Sequence, residues 1–320
     1  MKILAVVHGY FPNHNAGAEA MLHQILIDLK GRGHEVKVMT KNPGAEEYEG
    51  ITLYDATTKN EKILFPWTDV IFTHLDLTRY AVANGLRYNK PIVHLVHNDR
   101  QLTYNKIKSR DKAHLVIANS DWIAKTIPSK INCVTVHPPT KPDRYEVKTS
   151  RESIVLINMN EAKGGKVFWQ LARIFPDKHF IGVKGAYGNQ IEYDKKLKNV
   201  TILENTPDIQ KVYKKARIVI MPSSYESWGR VASEACCSGI PVIAAPTPGL
   251  KESLGEAGVF AECDNIADWV EAIRLLDDDK VYDKYSKLGK KRAKELADKF
   301  DTQMDELEKA LLGLFTNIRK

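Results

Sequence analysis

Strands alternating with helices along most of the 320 residues predict an α/β fold of parallel, doubly wound, Rossmann-like sheets. Three stretches carry that prediction. Lys2 to His8 is an apolar strand that runs through a loop rich in Gly, Pro, Asn and His into a helix opening at Gly17-Ala18-Glu19. Arg217 to Ala245 repeats the pattern as strand, loop, helix and strand. Between them, His137 to Ser150 carries Pro138, Pro139, Pro142 and many charges, the composition of a linker. Two domains are therefore expected, 1–145 and 146–302, each long enough for its own core.

In chain order, Met21, Leu22, Ile25, Leu26 and Leu29 form the apolar stripe of the first helix, and Gly31 and Gly33 end it. His34 to Met39 is the second strand. Further strands are expected at Ile51 to Tyr54, Asp69 to His74, Pro91 to Val96 and Leu115 to Ala118, with helices at Leu77 to Leu86 and Asp121 to Ile127. Ser120 suits a helix N-cap. In the second domain Ser153 to Asn158, His179 to Lys184, Asn199 to Leu203 and Arg217 to Met221 read as strands. Asp264 to Leu276, Val281 to Lys299 and Gln303 to Ile318 read as three amphipathic helices.

Bulk properties exclude some classes and leave others open. The chain is 43% hydrophobic and 27% charged, and no apolar run approaches the roughly 18 residues that span a bilayer. Its start goes straight into a strand, without the apolar region and cleavage site of a secretory signal, so a cytoplasmic protein is expected. Cys133, Cys236, Cys237 and Cys263 lack the spacing of zinc ligands and read as reduced, buried, small hydrophobes. The net charge of +7 suits a phosphate-rich ligand, an anionic membrane or nucleic acid. Lysines are spread along the chain, so charge by itself does not choose among these.

The most informative stretch is Met221 to Ala245. Glu226 lies in a loop and Glu234 in the following helix, with seven residues between them. The N–H groups of the helix start favour an anion there, and a carboxylate accepting from vicinal hydroxyls can hold a sugar ring. Spacing alone also fits two solvated acids favoured by the helix dipole. The wider pattern Pro222-Ser223, Glu226, Gly229, Glu234-Ala235, Gly239 and Pro241-Val242 resembles the E-x7-E signature of retaining glycosyltransferases of family four, which have the GT-B fold.

That resemblance implies roles for particular residues. Glu226 would contact the donor sugar and Glu234 the ribose of the nucleotide, with Ser227, Trp228, Gly229 and Arg230 between them in the donor site. Lys163, in the pair Lys163-Gly164, would neutralise donor phosphate, with Lys166 or Arg230 as helpers. Many members have an arginine where this chain has Asn158. Thr206 and Pro207 fall in the loop that holds the base. In the first domain the loop carrying Gly17 would lie over the diphosphate, and His97, at the carboxyl end of a strand, would stand beside the donor sugar. His94, inside the same strand, reads as structural. A terminal helix over 303–320 would return to the first domain.

The implied function is metal-independent, retaining transfer of a hexose or pentose from a nucleotide-sugar, foremost a UDP-sugar with a GDP-sugar as alternative, and needs no separate cofactor. His97, Glu226 and Lys163 would be the catalytic set. Asp277-Asp278-Asp279 invites a metal reading but ends a helix as a solvated turn. Two alternatives stand beside transfer: a nucleotide-sugar epimerase of the same fold, and a nucleotide-sugar-binding protein without catalysis. The acceptor stays open among small molecules, glycans, lipid-linked sugars, proteins and modified nucleic-acid bases. Tyr10, Phe11, His14, Trp67 and Arg100 to Tyr104 are its candidate contacts.

Overall fold

The computed structural model describes residues 1–99, 114–186, 188–192 and 197–316. They belong to two units, Met1–Pro139 with Phe300–Lys320, and Thr140–Lys299.

In the first unit, β1 (Lys2–Val7), β2 (Glu35–Thr40), β3 (Glu47–Tyr48), β4 (Ile51–Asp55), β5 (Val70–Thr73), β6 (Ile92–Val96), β7 (His114–Ala118) and β8 (Asn132–Thr135) form one sheet in the order β3-β4-β2-β1-β5-β6-β7-β8. Every pairing is parallel except β3 with β4. Alternation along β1 explains why both faces are covered. Ile3, Ala5 and Val7 point into a core shared with the stripe of α1 (Gly17–Gly31), whereas Leu4 and Val6 point into one shared with α2 (Thr58–Trp67) and α3 (Thr78–Arg87). The chain leaves β1 for β2 on one side and later for β5 on the other, so the strand order reverses between β1 and β5.

The second unit repeats the plan. Its strands are β9 (Ser153–Ile157), β10 (His179–Val183), β11 (Val200–Leu203), β12 (Ala216–Met221), β13 (Val242–Ala244) and β14 (Gly258–Phe260), all parallel, in the order β11-β10-β9-β12-β13-β14. Val155, Val219 and Met221 pack on one face, and Ile154, Leu156, Ile218 and Ile220 on the other with α6 (Gly165–Ile174) and α10 (Ile266–Leu275). Here the order reverses between β9 and β12. The short helices α4 (Asp121–Ala124) and α5 (Pro142–Tyr145) follow β7 and β8, and Ser120 caps α4 by accepting from the amide of Ile123 at 3.4 Å.

Three features differ from expectation. The short strands β3, β8 and β14 and the helix α2 escape the periodicity, because two to four residues are too few to alternate visibly and α2 buries only Leu64 and Phe65. Residues from Thr140 onward pack on the second unit. Thr140 and Ser233 share a hydroxyl hydrogen bond of 2.9 Å, the Val147 amide donates to Ser238 Oγ at 2.9 Å, and Tyr145 is buried. Finally, the last two expected helices are one, Asp279–Thr316, of 38 residues. No Gly or Pro interrupts 300–302, and Phe300 is buried. Met304, Leu307, Leu311 and Leu314 of this helix complete the core of the first unit. Arg32 holds it there through Asp305 at 2.6 Å and Glu308 at 3.1 Å.

Candidate functional site

Open α/β sheets bind ligands beyond the carboxyl ends of strands where the strand order reverses. In the second unit those ends are the loops after β9 and β12. The first loop is shaped by Asn158, whose φ of 72° is a conformation asparagine tolerates better than most residues. Asn158 Oδ1 accepts from the Asn160 amide at 3.3 Å, and the side chain packs on Gly185, where a Cβ would lie 2.3 Å from it. The position thus has a backbone requirement that arginine meets poorly. Asn160 Oδ1 then accepts from the Lys163 amide at 2.9 Å and closes the turn carrying that lysine.

The two loops are joined. The Ser224 amide donates to the Ala162 carbonyl at 3.0 Å, and Lys163 Nζ lies 2.5 Å from Glu226 Oε1. Ser223 Oγ donates to the same oxygen at 3.0 Å. Glu226 Oε2 takes no hydrogen bond among the described residues. The backbone at Glu226 is pinned from behind by α9 (Pro248–Leu254). A Cβ on Gly249 would lie 2.5 Å from the Glu226 carbonyl oxygen and 2.4 Å from the Ser227 carbonyl carbon, so only glycine allows this approach.

Glu234 stands on α8 (Arg230–Cys237), which Gly229 opens with a φ of 92°. Its carboxylate is buried and both oxygens are engaged. Arg230 reaches Oε1 at 2.8 Å, and Tyr213, at the end of α7 (Gln210–Tyr213), donates to Oε2 at 2.9 Å. Arg230 also donates to Tyr145 Oη at 2.9 Å. Burial opposes the charge on Arg230, but the adjoining Glu234 carboxylate together with Tyr145 and Tyr213 outweighs it and the pKa is raised. Burial, and then Glu234, push the Tyr213 phenol well above its ordinary value. Trp228 is 2% exposed, a core residue that anchors the loop, and Ser227 is half-buried.

Lys163, Glu226, Gly229, Arg230 and Glu234 are therefore brought together on α8 and the two loops. Arg230 reaches forward along its own helix to Glu234, and Lys166 pairs with Glu161. Thr206 and Pro207 follow the edge strand β11. Thr206 Oγ1 accepts from the Asp208 amide at 3.1 Å, and neither residue has a polar contact with Lys163 or Glu226 among the described residues. Tyr213 and Tyr145 escape sequence reading because their link to Glu234 exists only after folding. Asp278 caps α11 (Asp279–Thr316), accepting from the amides of Lys280 and Val281, and Asp277 pairs with Lys178.

In the first unit Gly17 is exposed at the start of α1, and His97 follows β6. His97 Nε2 is 3.1 Å from His74 Nδ1, and burial lowers its pKa to about 4. His94 is buried inside β6. Two acceptor candidates need correction. Tyr10 is fully buried with its hydroxyl 2.7 Å from His23 Nδ1, and Phe11 lies in the same core stacked on Tyr48, because the loop after β1 folds inward. Trp67 is covered by Lys37 at 4.2 Å. Arg100 to Tyr104 lie outside the described residues. Burial raises the pKa of each cysteine, to about 12 for Cys236 and Cys237 and about 11 for the half-buried Cys133.

A family model described as glycosyl transferases group 1 matches residues 158–295, the span that holds both switch-point loops. A D-inositol 3-phosphate glycosyltransferase of Corynebacterium kroppenstedtii is 43% identical over 74 residues, 22% of this chain and 16% of that protein. One from Mycobacterium sp. (strain KMS) is 27% identical over 302 residues, covering 75% of this chain and 68% of the other. The first curated relatives are thus matched over less than a fifth of their length. Among solved structures, Anabaena HepE in complex with UDP-glucose has a TM-score of 0.81 at 18% identity, with 98% of this chain and all of that one covered. A glycosyltransferase from Rickettsia africae has a TM-score of 0.78 at 15% identity, with 99% of each chain covered. The two Rossmann-like units are those of the GT-B fold.

Proposed function

We propose that this chain is a glycosyl transferase of group 1, the family whose model matches residues 158–295, and that it moves a sugar from a nucleotide-sugar donor to an acceptor hydroxyl, retaining anomeric configuration and using no metal ion. The observation that carries the proposal is the Lys163–Glu226 pair across the loops after β9 and β12, with Glu234 about one turn into α8. A cation for phosphate and carboxylates for hydroxyls meet there at the strand-order reversal.

Each group has capacity to spare. Lys163 uses one of its three N–H donors on Glu226 and keeps the others for the diphosphate. The amides at the start of α8, which has no side-chain cap, add positive potential. Together they stabilise the charge that develops on the leaving nucleoside diphosphate. Glu226 Oε2 is free to accept from a sugar hydroxyl. Each oxygen of Glu234 has a second lone pair for the ribose hydroxyls, while Arg230 and Tyr213 fix its orientation. In the first unit His97, a neutral imidazole by its lowered pKa, can exchange a hydrogen bond with a hydroxyl.

A UDP-sugar is the donor we favour, supported by the UDP-glucose complex of the Anabaena protein; a GDP-sugar is the second choice. No helix among the described residues is long and apolar enough to cross a membrane, and the enzyme we envisage is cytoplasmic.

Thermal unfolding with UDP, GDP, ADP, TDP and CMP, then with their sugar conjugates, tests the reading. A ligand at about a hundred times its dissociation constant adds about 2.7 kcal/mol, which raises the midpoint of a unit this size by about 5–10 °C. Lys163→Ala should reduce the rise. No rise with any of these ligands would refute the proposal.

A further inference from the structure

The carboxyl ends of β1, β5 and β6, neighbours in the first sheet, deliver one buried carboxylate and two imidazoles to the same place. Glu19, in the first turn of α1, is 4% exposed, and His74, directly after β5, is 2% exposed. His74 Nδ1 lies 3.1 Å from His97 Nε2, with the rings edge to face. The other nitrogen of His74, Nε2, lies 3.9 Å from Glu19 Oε1. His14 Nε2 approaches the same oxygen at 3.8 Å from a more exposed position. The strand-order reversal between β1 and β5 is the reason three separate segments converge here.

Burial keeps both imidazoles neutral, with the pKa of His74 well below its ordinary value and that of His97 at about 4. Two neutral rings that share one N···N hydrogen bond admit two proton arrangements. In the first, His74 Nδ1–H donates to His97, which then carries its own proton on Nδ1. In the second, His97 Nε2–H donates to His74, which carries its proton on Nε2, facing Glu19. A carboxylate in a poorly solvated setting attracts an N–H and repels a lone pair, so it selects the second arrangement. Burial raises the pKa of Glu19, and the nearby His14 and His8 act to lower it.

The geometry points to Glu19 and His74 as positioning residues that hold His97 in its Nε2–H tautomer, leaving Nδ1 as a hydrogen-bond acceptor for a sugar hydroxyl. The sugar contact rests on the proposed transfer, whereas the tautomer does not. The relay makes His97 an acceptor and not a cation.

Nitrogen-15 NMR of histidine-labelled, full-length, ligand-free protein at pH 7.5 reads the tautomer directly, with His97→Gln assigning the ring. The wild-type spectrum should show His97 and His74 each as a single Nε2–H form. In the isosteric Glu19→Gln the selecting charge is gone, and in His74→Phe the accepting nitrogen is gone. In both, the Nδ1–H form of His97 should appear. A wild-type His97 protonated on Nδ1 would overturn the inference, and so would an unchanged single Nε2–H form in both variants. Because the measurement needs no nucleotide, its failure leaves the transfer proposal standing. The Nε2–H form in a protein that binds no nucleotide-sugar removes only the sugar contact.

Discussion

Glu234 joins the proposed ligand contact to the stability of its unit, and Glu234→Ala should expose both. The substitution leaves Arg230 without its carboxylate, 2.8 Å away, and strands the hydroxyl of Tyr213, a residue with no exposed surface. Tyr145 remains as a neutral partner of Arg230. Removing one member of a buried ion pair costs about 3–5 kcal/mol. For a unit of this size that lowers the melting midpoint by about 6–20 °C. Differential scanning calorimetry of the ligand-free variant measures this before any nucleotide is added. Isothermal titration with UDP, at a temperature where the variant is folded, then reads the binding loss separately. A midpoint within 2 °C of wild type would show that the Arg230–Glu234–Tyr213 cluster contributes little, and the account of a carboxylate oriented by its neighbours would fail.

Three further outcomes are expected. Glu226→Ala should lower kcat by about a hundred-fold or more while changing the dissociation constant of UDP by less than about ten-fold; equal losses in both would contradict the assignment of Glu226 to the sugar. Gly249→Ala should push the Glu226–Ser227 backbone, which lies within 2.5 Å of the new methyl carbon, and cost about 1–3 kcal/mol, read from the urea midpoint of the second unit. Acid should weaken the first unit through His74 and His97. Their folded pKa values lie below the unfolded value of about 6.5, with His97 at about 4, so the unfolded chain binds more protons in that window. Stability is then complete above about pH 6.5 and falls toward pH 4. Glu19, with its pKa raised, acts in the opposite sense. Urea midpoints from pH 4 to 8 should fall less steeply in His97→Phe than in wild type, and identical profiles would count against a buried neutral histidine.

The elements legible in the sequence are those with a local cause. The strand Lys2–Val7 is apolar at every position from Ile3 to Val7, because helices cover both of its faces. The stripe of α1 repeats at helical spacing, and Gly31 and Gly33 stop it. Elements set by their neighbours were not legible. The strands β3 and β14 are short segments that pair with an existing edge, and α11 runs on through 300–302 because the buried Phe300, followed by Met304 and Leu307, packs against the first sheet.

The candidate site divides in the same way. Glu226, Gly229 and Glu234 lie within one loop and helix, so their spacing in the chain already places them near one another, and Lys163 stands at a glycine turn after a strand. Sequence alone therefore determined the α/β class, the loop-and-helix motif from Met221 to Ala245 and the carboxylates within it. Only the tertiary structure decided their partners. Lys163 meets Glu226 across 63 positions and Tyr213 meets Glu234 across 21, and Glu19, His74 and His97 converge from one helix start and the ends of two strands. Each of those contacts depends on which strands lie side by side. Strand order is set by the burial of whole sheet faces, which no local window of residues records.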